Sequence, residues 1–361
     1  MKKFFASDNY SGVHSKIMKA LMEANTGHEF AYGEDTYTAQ VEKEFKNIFG
    51  DVGVYMVYNG TGSNILALEA CKKRGSSVVC VDTAHIHCDE TGALANITGL
   101  STLPIKNIKG KINLNEIDAL YGENRGTFHK TKPDILSITQ ATEVGTVYSL
   151  EELEEIKKYV KKNEMILHMD GARIANACVE LGCSLKEMTG DMGVDILSFG
   201  GTKNGLMFGE VIIIFNKEID VEFLRLRKQC LQLNSKMRYQ SAQYIEYLKD
   251  NLWYQNAKNA NDMAKYFDLK LRELGVEVTN KVESNALFAI LPKKIIEPMQ
   301  EFCYFYIWNE NKNEVRFVTS FDTTKEDIDK FIEKLKELLK DKVVWIKNRS
   351  CHNIVKKNNL Q

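Results

Sequence analysis

Short apolar runs alternate with amphipathic stretches as far as Phe215, and this alternation constrains the fold more than any other feature of the chain. The runs Val52–Tyr58, Ser77–Val81, Asp134–Thr139, Met165–Met169, Asp195–Phe199 and Val211–Phe215 have the length and composition of buried strands. Between them lie helical segments. Thr38–Phe49 stops at Gly50 and Ser63–Arg74 at Gly75, the residue type expected just past a last helical turn. Ser149 with Glu152 forms a capping-box pair that opens a helix to about Lys162. Strands and helices in this order predict an α/β fold, a mostly parallel sheet flanked by helices on both faces.

Beyond Phe215 the pattern changes. A long helical region is expected from about Val221 to Trp253, then a helix near Ala257–Gly275. Short strands follow at Val276–Thr279, Ala286–Ile290, Cys303–Trp308 and Glu314–Thr319, with a final helix near Lys325–Leu339. This reads as a smaller α+β domain. The predicted division is an N-terminal arm and large domain over 1–245, a small domain over 246–345, and a basic tail over 346–361. With 361 residues, 44% of them hydrophobic, the chain can bury a core large enough for two domains.

A net charge of -1 argues against a nucleic-acid surface. The eight cysteines show no CxxC or other metal-ligand spacing and read as reduced thiols. The N-terminus turns polar too soon for a signal peptide, and no apolar run approaches the roughly 20 residues a membrane span needs. A cytoplasmic protein acting on a small molecule, with no membrane partner, is expected.

Lys203 lies in Asp-Ile-Leu-Ser-Phe-Gly-Gly-Thr-Lys-Asn-Gly, on a glycine loop directly after a strand. Held there it is suited to lose its proton and act as an amine nucleophile toward an aldehyde cofactor, although a solvated loop lysine has the same local sequence. Asp170 ends the Met165–Met169 strand, where α/β proteins place ligands, and can neutralise a ligand cation or cap the next helix. Arg173 follows one turn later and can face the same crevice.

Asn59-Gly60-Thr61-Gly62-Ser63-Asn64 joins a strand to a helix, so free backbone N–H groups, the helix dipole and two hydroxyls make an anion site. A dinucleotide fingerprint competes there, with Asp82 as its acidic residue, but Ile65 stands where the third glycine belongs. A single phosphate is the better fit. His85 falls among His87, Asp89 and Glu90, whose mixed spacing suits a metal poorly; a ring lying flat on a cofactor, or an acid/base, suits it better.

The chain resembles the pyridoxal-phosphate enzymes of fold type I, and among them the L-threonine aldolases of the β-eliminating-lyase group. The resemblance runs from Phe5-Ala-Ser-Asp-Asn-Tyr-Ser-Gly12 through Ala31–Asp35, Asn59–Gly62, His85–Gly92 and Thr139–Tyr148. It continues through His168–Arg173, Ser198–Gly205, Ser235–Arg238 and Val315–Ser320. It implies that Lys203 binds pyridoxal 5'-phosphate, that Asp170 pairs with the pyridine nitrogen, and that His85 stacks on the ring. Gly60, Thr61 and Gly62 would hold the phosphate, with Arg238 from a neighbouring subunit. Ser7, Arg173 and Arg316 would bind an amino-acid carboxylate, and Tyr32 would close the site from a partner chain. A homodimer or homotetramer with shared sites is implied.

Cleavage of L-threonine or L-allo-threonine to glycine and acetaldehyde is the implied reaction. One departure stands out: Gln140-Ala141-Thr142-Glu143 replaces the Asn-Thr-His of many relatives, which leaves the group handling the β-hydroxyl proton unassigned. The alternatives are an aminotransferase, a β-eliminating lyase or a serine hydroxymethyltransferase-like enzyme. More distant are an NAD-binding oxidoreductase and a non-catalytic protein on the same fold.

Overall fold

A computed structural model describes residues 3–122 and 127–340. The expected basic tail lies outside the described residues. Seven strands form the main sheet: β1 (Gly53–Val57), β2 (Ser76–Val81), β3 (Ser101–Ile105), β4 (Lys132–Thr139), β5 (Ile166–Gly171), β6 (Ile196–Phe199) and β7 (Glu210–Ile214). Their spatial order is β1-β7-β6-β5-β4-β2-β3. Strands β3, β2, β4, β5 and β6 pair in parallel, whereas β7 runs antiparallel to both β6 and β1. The link from β6 to β7 explains the reversal, since a loop over residues 200–209 is too short for a parallel crossover. That loop carries Lys203.

The sheet is buried on both faces, and the two-residue period of a strand sorts its side chains. Leu136, Ile138, Leu167, Met169, Leu197, Phe199, Val211 and Ile213 join one core with Val41, Leu153 and Ala175 of the covering helices. Val78, Cys80, Ile135, Ile196, Ile212 and Ile214 join another with Leu66, Leu94 and Phe223. The second face changes character toward the C-terminal strand ends. There the same alternation puts Ser137, His168, Asp170 and Ser198 beyond Ile135, Ile166 and Ile196. Buried polar groups on an otherwise apolar sheet mark the place where a ligand is served rather than the core.

A second, antiparallel sheet has the order β10-β11-β9-β8, with β8 Glu277–Val278, β9 Ala286–Ile290, β10 Tyr306–Asn309 and β11 Glu314–Val318. It packs with Phe267 and Leu271 of the long helix Leu252–Glu273, with Met299, and with Phe331 of the helical residues 325–340. Phe5 is buried in this core. Its N–H donates to Tyr304 O at 2.8 Å, and its carbonyl accepts from Val318 N–H at 2.8 Å. These bonds fix the chain just before Ser7 and Asp8.

Two expectations differ from the structure. The helical region expected over Val221–Trp253 is broken into Phe223–Gln229, Arg238–Leu248 and the start of Leu252–Glu273. Glu222, Leu231, Asp250 and Asn251 take positive φ at the breaks, which ends α-helical hydrogen bonding there. Strand β3 has no clear strand signal in the sequence because it is short and holds Pro104; an edge strand tolerates the lost donor.

Candidate active site

A cavity at the C-terminal ends of β4, β5 and β6 is lined by Gly60, Thr61, His85, Asp170, Arg173 and Lys203. Six residues singled out from the sequence thus meet in one place. Ser63, Asn64, Glu143 and Glu210 complete much of its wall.

Lys203 sits on a tight turn over Thr202–Asn204, closed by Gly205 at φ +103°. The turn is anchored from several sides. Gly201 N–H donates to Glu210 Oε2 at 2.7 Å, and Asn204 Nδ2 donates to Tyr247 Oη at 2.7 Å and Trp253 O at 2.8 Å. Asn256 Nδ2 donates to Asn204 O at 2.9 Å. Burial, assisted by the Arg173 charge, holds the Lys203 amine below its ordinary pKa, against the opposing pull of Asp8, Asp170 and Glu210. The neutral amine is the nucleophilic form. Glu210 is itself pushed up to about 7, chiefly by burial.

Gly200 matters for a steric reason. A Cβ there would come within 2.6 Å of Ala172 O and 2.7 Å of Ala172 Cα, and backbone atoms cannot swing aside. We expect Gly200→Ala to destabilise the protein by about 1–3 kcal/mol and to displace the lysine turn. Urea denaturation checks this; unchanged stability would show that the loop absorbs the methyl group.

Asp170 is held rather than loose. Its Oδ1 accepts Ala172 N–H at 2.9 Å, and its Oδ2 accepts Asn64 Nδ2 at 2.8 Å. Asn64 also donates to Glu90 Oε1 at 3.1 Å, and Glu90 Oε1 accepts from His85 Nδ1 at 2.9 Å. A continuous polar chain therefore runs Asp170–Asn64–Glu90–His85. The Glu90 hydrogen bond raises the His85 pKa, burial opposes it, and Asp170 adds to the rise. Behind Asp170, His168 is fully buried between Ser137 Oγ (2.8 Å) and Ser198 Oγ (3.3 Å). Burial lowers its pKa to about 4, so it is neutral at physiological pH.

At the start of the helix Gly60–Cys71, Asn59 Oδ1 accepts Gly62 N–H at 2.7 Å. The cap engages Gly62, which leaves the Gly60 and Thr61 N–H groups as the outward donors of the first turn. The Ser63 hydroxyl is buried and has no hydrogen-bond partner among the described residues. Nothing lies within 4 Å of the place a Gly60 Cβ would take. An open, donor-rich first turn with an orphaned buried hydroxyl fits a phosphate group.

The N-terminal segment supplies a residue that sequence reasoning passed over. Asp8 is 1% exposed and receives Arg173 Nε at 2.7 Å, Arg173 Nη2 at 2.9 Å and Asn285 Nδ2 at 3.0 Å. Two of the three guanidinium nitrogens of Arg173 are thus committed within the protein. Arg316 donates from Nη2 to Ala6 O at 3.3 Å and lies 5.3 Å from the ring centres of both Tyr306 and Trp308. Its Nε is buried without a partner among the described residues. Burial and the nearby Arg173 charge lower its pKa, which places both guanidiniums in one region. Ser7 Oγ accepts Asn9 N–H at 3.2 Å and donates to Asp8 Oδ1 at 3.4 Å, beside the same pair.

Five expected residues are not among those lining the cavity of their own chain: Ser7, Gly62 and Arg316, placed above, and Tyr32 and Arg238. Tyr32 is 50% exposed, at φ +61°, with Lys228 Nζ 5.0 Å from its ring centre. Arg238 donates to Thr26 O and Gly27 O at 3.3 and 3.2 Å.

Comparison with known proteins identifies the family. The chain is 39% identical over 340 residues to the low specificity L-threonine aldolase of Pseudomonas aeruginosa, covering 93% of this chain and 96% of that one. It is 27% identical over 327 residues to the Escherichia coli low specificity L-threonine aldolase, covering 89% and 95%. The solved threonine aldolase of Leishmania major superposes with a TM-score of 0.88 at 29% identity, covering 93% of this chain and 99% of that one. A putative histidinol-phosphate aminotransferase of Erwinia carotovora, at 14% identity and TM-score 0.71, shares the fold alone. No helix among the described residues is long and apolar enough to cross a membrane. The beta-eliminating lyase family model matches residues 5–294, from the Asp8 segment through the lysine turn and into the second sheet, and the chain belongs to that family.

Proposed function

We propose that this protein is a pyridoxal-phosphate-dependent carbon–carbon lyase that cleaves L-threonine and L-allo-threonine to glycine and acetaldehyde. The observation that carries this reading is a desolvated Lys203 sharing one cavity with the Asp170 carboxylate and the open helix start at Gly60–Ser63. Those features match the aldehyde, the ring nitrogen and the phosphate of the cofactor. When bound, the cofactor supplies an imine-forming aldehyde and a ring that accepts the electron pair of a bond broken at Cα.

The chain's own residues supply placement. Lys203 offers an amine whose burial favours the neutral form. Asp170, fixed by Asn64 and Ala172, would hold a protonated ring nitrogen. Gly60, Thr61 and the Ser63 hydroxyl would hold the phosphate, and His85 would lie against the ring. Arg316 would bind the substrate carboxylate with its uncommitted Nε, and Arg173, steadied by Asp8, would bind through its remaining nitrogen. Held in this way, the Cα–Cβ bond can be set perpendicular to the ring, and orientation selects which bond breaks. Tyr32 and Arg238 would act across a homodimer or homotetramer interface, each reaching a neighbour's cavity. A cytoplasmic setting accords with the seven free cysteines among the described residues.

Purified protein incubated with pyridoxal phosphate and L-threonine, L-allo-threonine, D-threonine or L-serine should release glycine and acetaldehyde in equal amounts from the two L-threonine epimers. No added keto acid or nicotinamide cofactor should be required. If none of the four yields an aldehyde, the proposed activity is wrong.

A further inference from the structure

Resting on the aldolase reading, we infer that Glu143 is the group that takes the β-hydroxyl proton of the substrate and passes it to solvent before the next turnover. Three observations place it there. First, it lines the same cavity as Lys203, Asp170 and His85. Second, its carboxylate is oriented through one oxygen only: Oε1 accepts Thr139 Oγ1 at 2.8 Å and His85 N–H at 3.1 Å. Third, the other oxygen, Oε2, is buried and has no partner among the described residues. A carboxylate pinned by one oxygen and unpartnered at the other is a base awaiting a donor, because a buried acceptor left without one is costly.

The other candidates in the cavity are occupied. Asp170 has both oxygens engaged. Glu210 receives Gly201 N–H under the lysine turn. His85 has its Nδ1 committed to the buried Glu90 carboxylate, which ties that ring nitrogen away from a substrate hydroxyl.

Burial raises the Glu143 carboxyl to about 7, opposed by hydrogen bonds from its own backbone N–H, Thr139 and the His85 N–H, with Asp170 adding to the rise. A base poised near the working pH combines availability with proton affinity. The titratable groups acting on it or feeling it are His85, Asp170, Arg173, Tyr148, Cys80 and Cys88. The Glu90 hydrogen bond raises the His85 pKa, so the acid limb of a pH profile has two candidate owners, Glu143 and His85.

The step balances as follows. Glu143 Oε2 takes the hydroxyl proton, and the O–H electron pair becomes the new C=O π bond of acetaldehyde. The Cα–Cβ bond breaks and its pair stays with Cα, which gains one proton from solvent to give glycine, matching the one that Glu143 gives up to solvent. The proton on Glu143 is the one that must leave before the next turnover.

The test compares Glu143→Gln and Glu143→Asp with the parent holoenzyme in two reactions. One is threonine cleavage. The other is exchange of the glycine Cα proton with D2O, followed by NMR, which needs Lys203 and the cofactor but has no hydroxyl to deprotonate. Glu143→Gln should lower kcat for threonine by about 10²–10⁴-fold, the range of a lost general base. It should also remove the acid limb of that profile and leave the cofactor absorbance and glycine exchange in place, while Glu143→Asp recovers part of the rate. Cleavage that survives Glu143→Gln with the acid limb intact overturns the inference and points to His85. Loss of both reactions together also overturns it, because it would mean a structural role. Failure of the aldolase reading looks different: the parent protein would exchange glycine protons yet release no aldehyde.

Discussion

Lys203→Ala is expected to lose threonine cleavage by roughly 10³- to 10⁶-fold, the order seen when a covalent nucleophile is removed. The amine is irreplaceable on geometric grounds. Its turn is fixed by hydrogen bonds to Glu210, Tyr247, Trp253 and Asn256, and among the described residues no second lysine lines the cavity. The same variant should lose the visible absorbance of a lysine-bound aldehyde cofactor. Borohydride reduction of the parent holoenzyme should attach the cofactor to the peptide containing Lys203, and the variant should take none. Stability should suffer little, because a desolvated amine beside Arg173 contributes little favourable energy that its removal could cost. Borohydride labelling of another lysine in the parent enzyme would move the covalent site elsewhere.

Much of this site was legible because its parts sit at strand ends and helix starts, where sequence pattern is strongest. Strand β5 is legible in its apolar run, which puts Asp170 at a C-terminal sheet edge. The glycine cluster around Lys203 announced a tight turn, and the β6–β7 reversal shows why the chain needs one. What escaped notice was the set of contacts between distant segments. Asp8 is sequence neighbour to Ser7, yet its role depends on Arg173, 165 positions away. Asn64 and Glu90 bridge Asp170 to His85 only because one helix crosses the polar end of the sheet. Glu143 looked like a departure from the family's pattern. Its burial is what turns an ordinary carboxylate into a candidate base, and burial of one side chain cannot be read from a single sequence. The misread helical region has a similar cause: single residues of positive φ break it without glycine or proline to announce them.

Asp8→Ala is expected to cost about 2–4 kcal/mol of stability and to raise KM for the amino-acid substrate. Removing one member of a buried, bidentate ion pair leaves the other charge desolvated, a loss of roughly 3–5 kcal/mol in general. Arg173 keeps some help from Asp170 and Glu143, so the lower end of that range applies. Burial pushes the Asp8 carboxyl up, but the Arg173 guanidinium outweighs it, aided by Lys203 and Asn285, and the net pKa lies below 3.8. A carboxyl whose folded pKa is depressed contributes stability that is present above its unfolded value and is lost as pH falls through the folded one. The parent protein should therefore shed the Asp8 contribution only in acid, below about pH 4, and Asp8→Asn should be missing it already at neutral pH. Urea denaturation at neutral and acidic pH, together with KM for L-threonine, separates two roles for this residue. If Asp8 steadies Arg173 for the substrate carboxylate, stability falls and KM rises together. A variant that is less stable but binds substrate more tightly would instead make Asp8 a competitor for Arg173, and the carboxylate clamp would have to be reassigned to Arg316 alone.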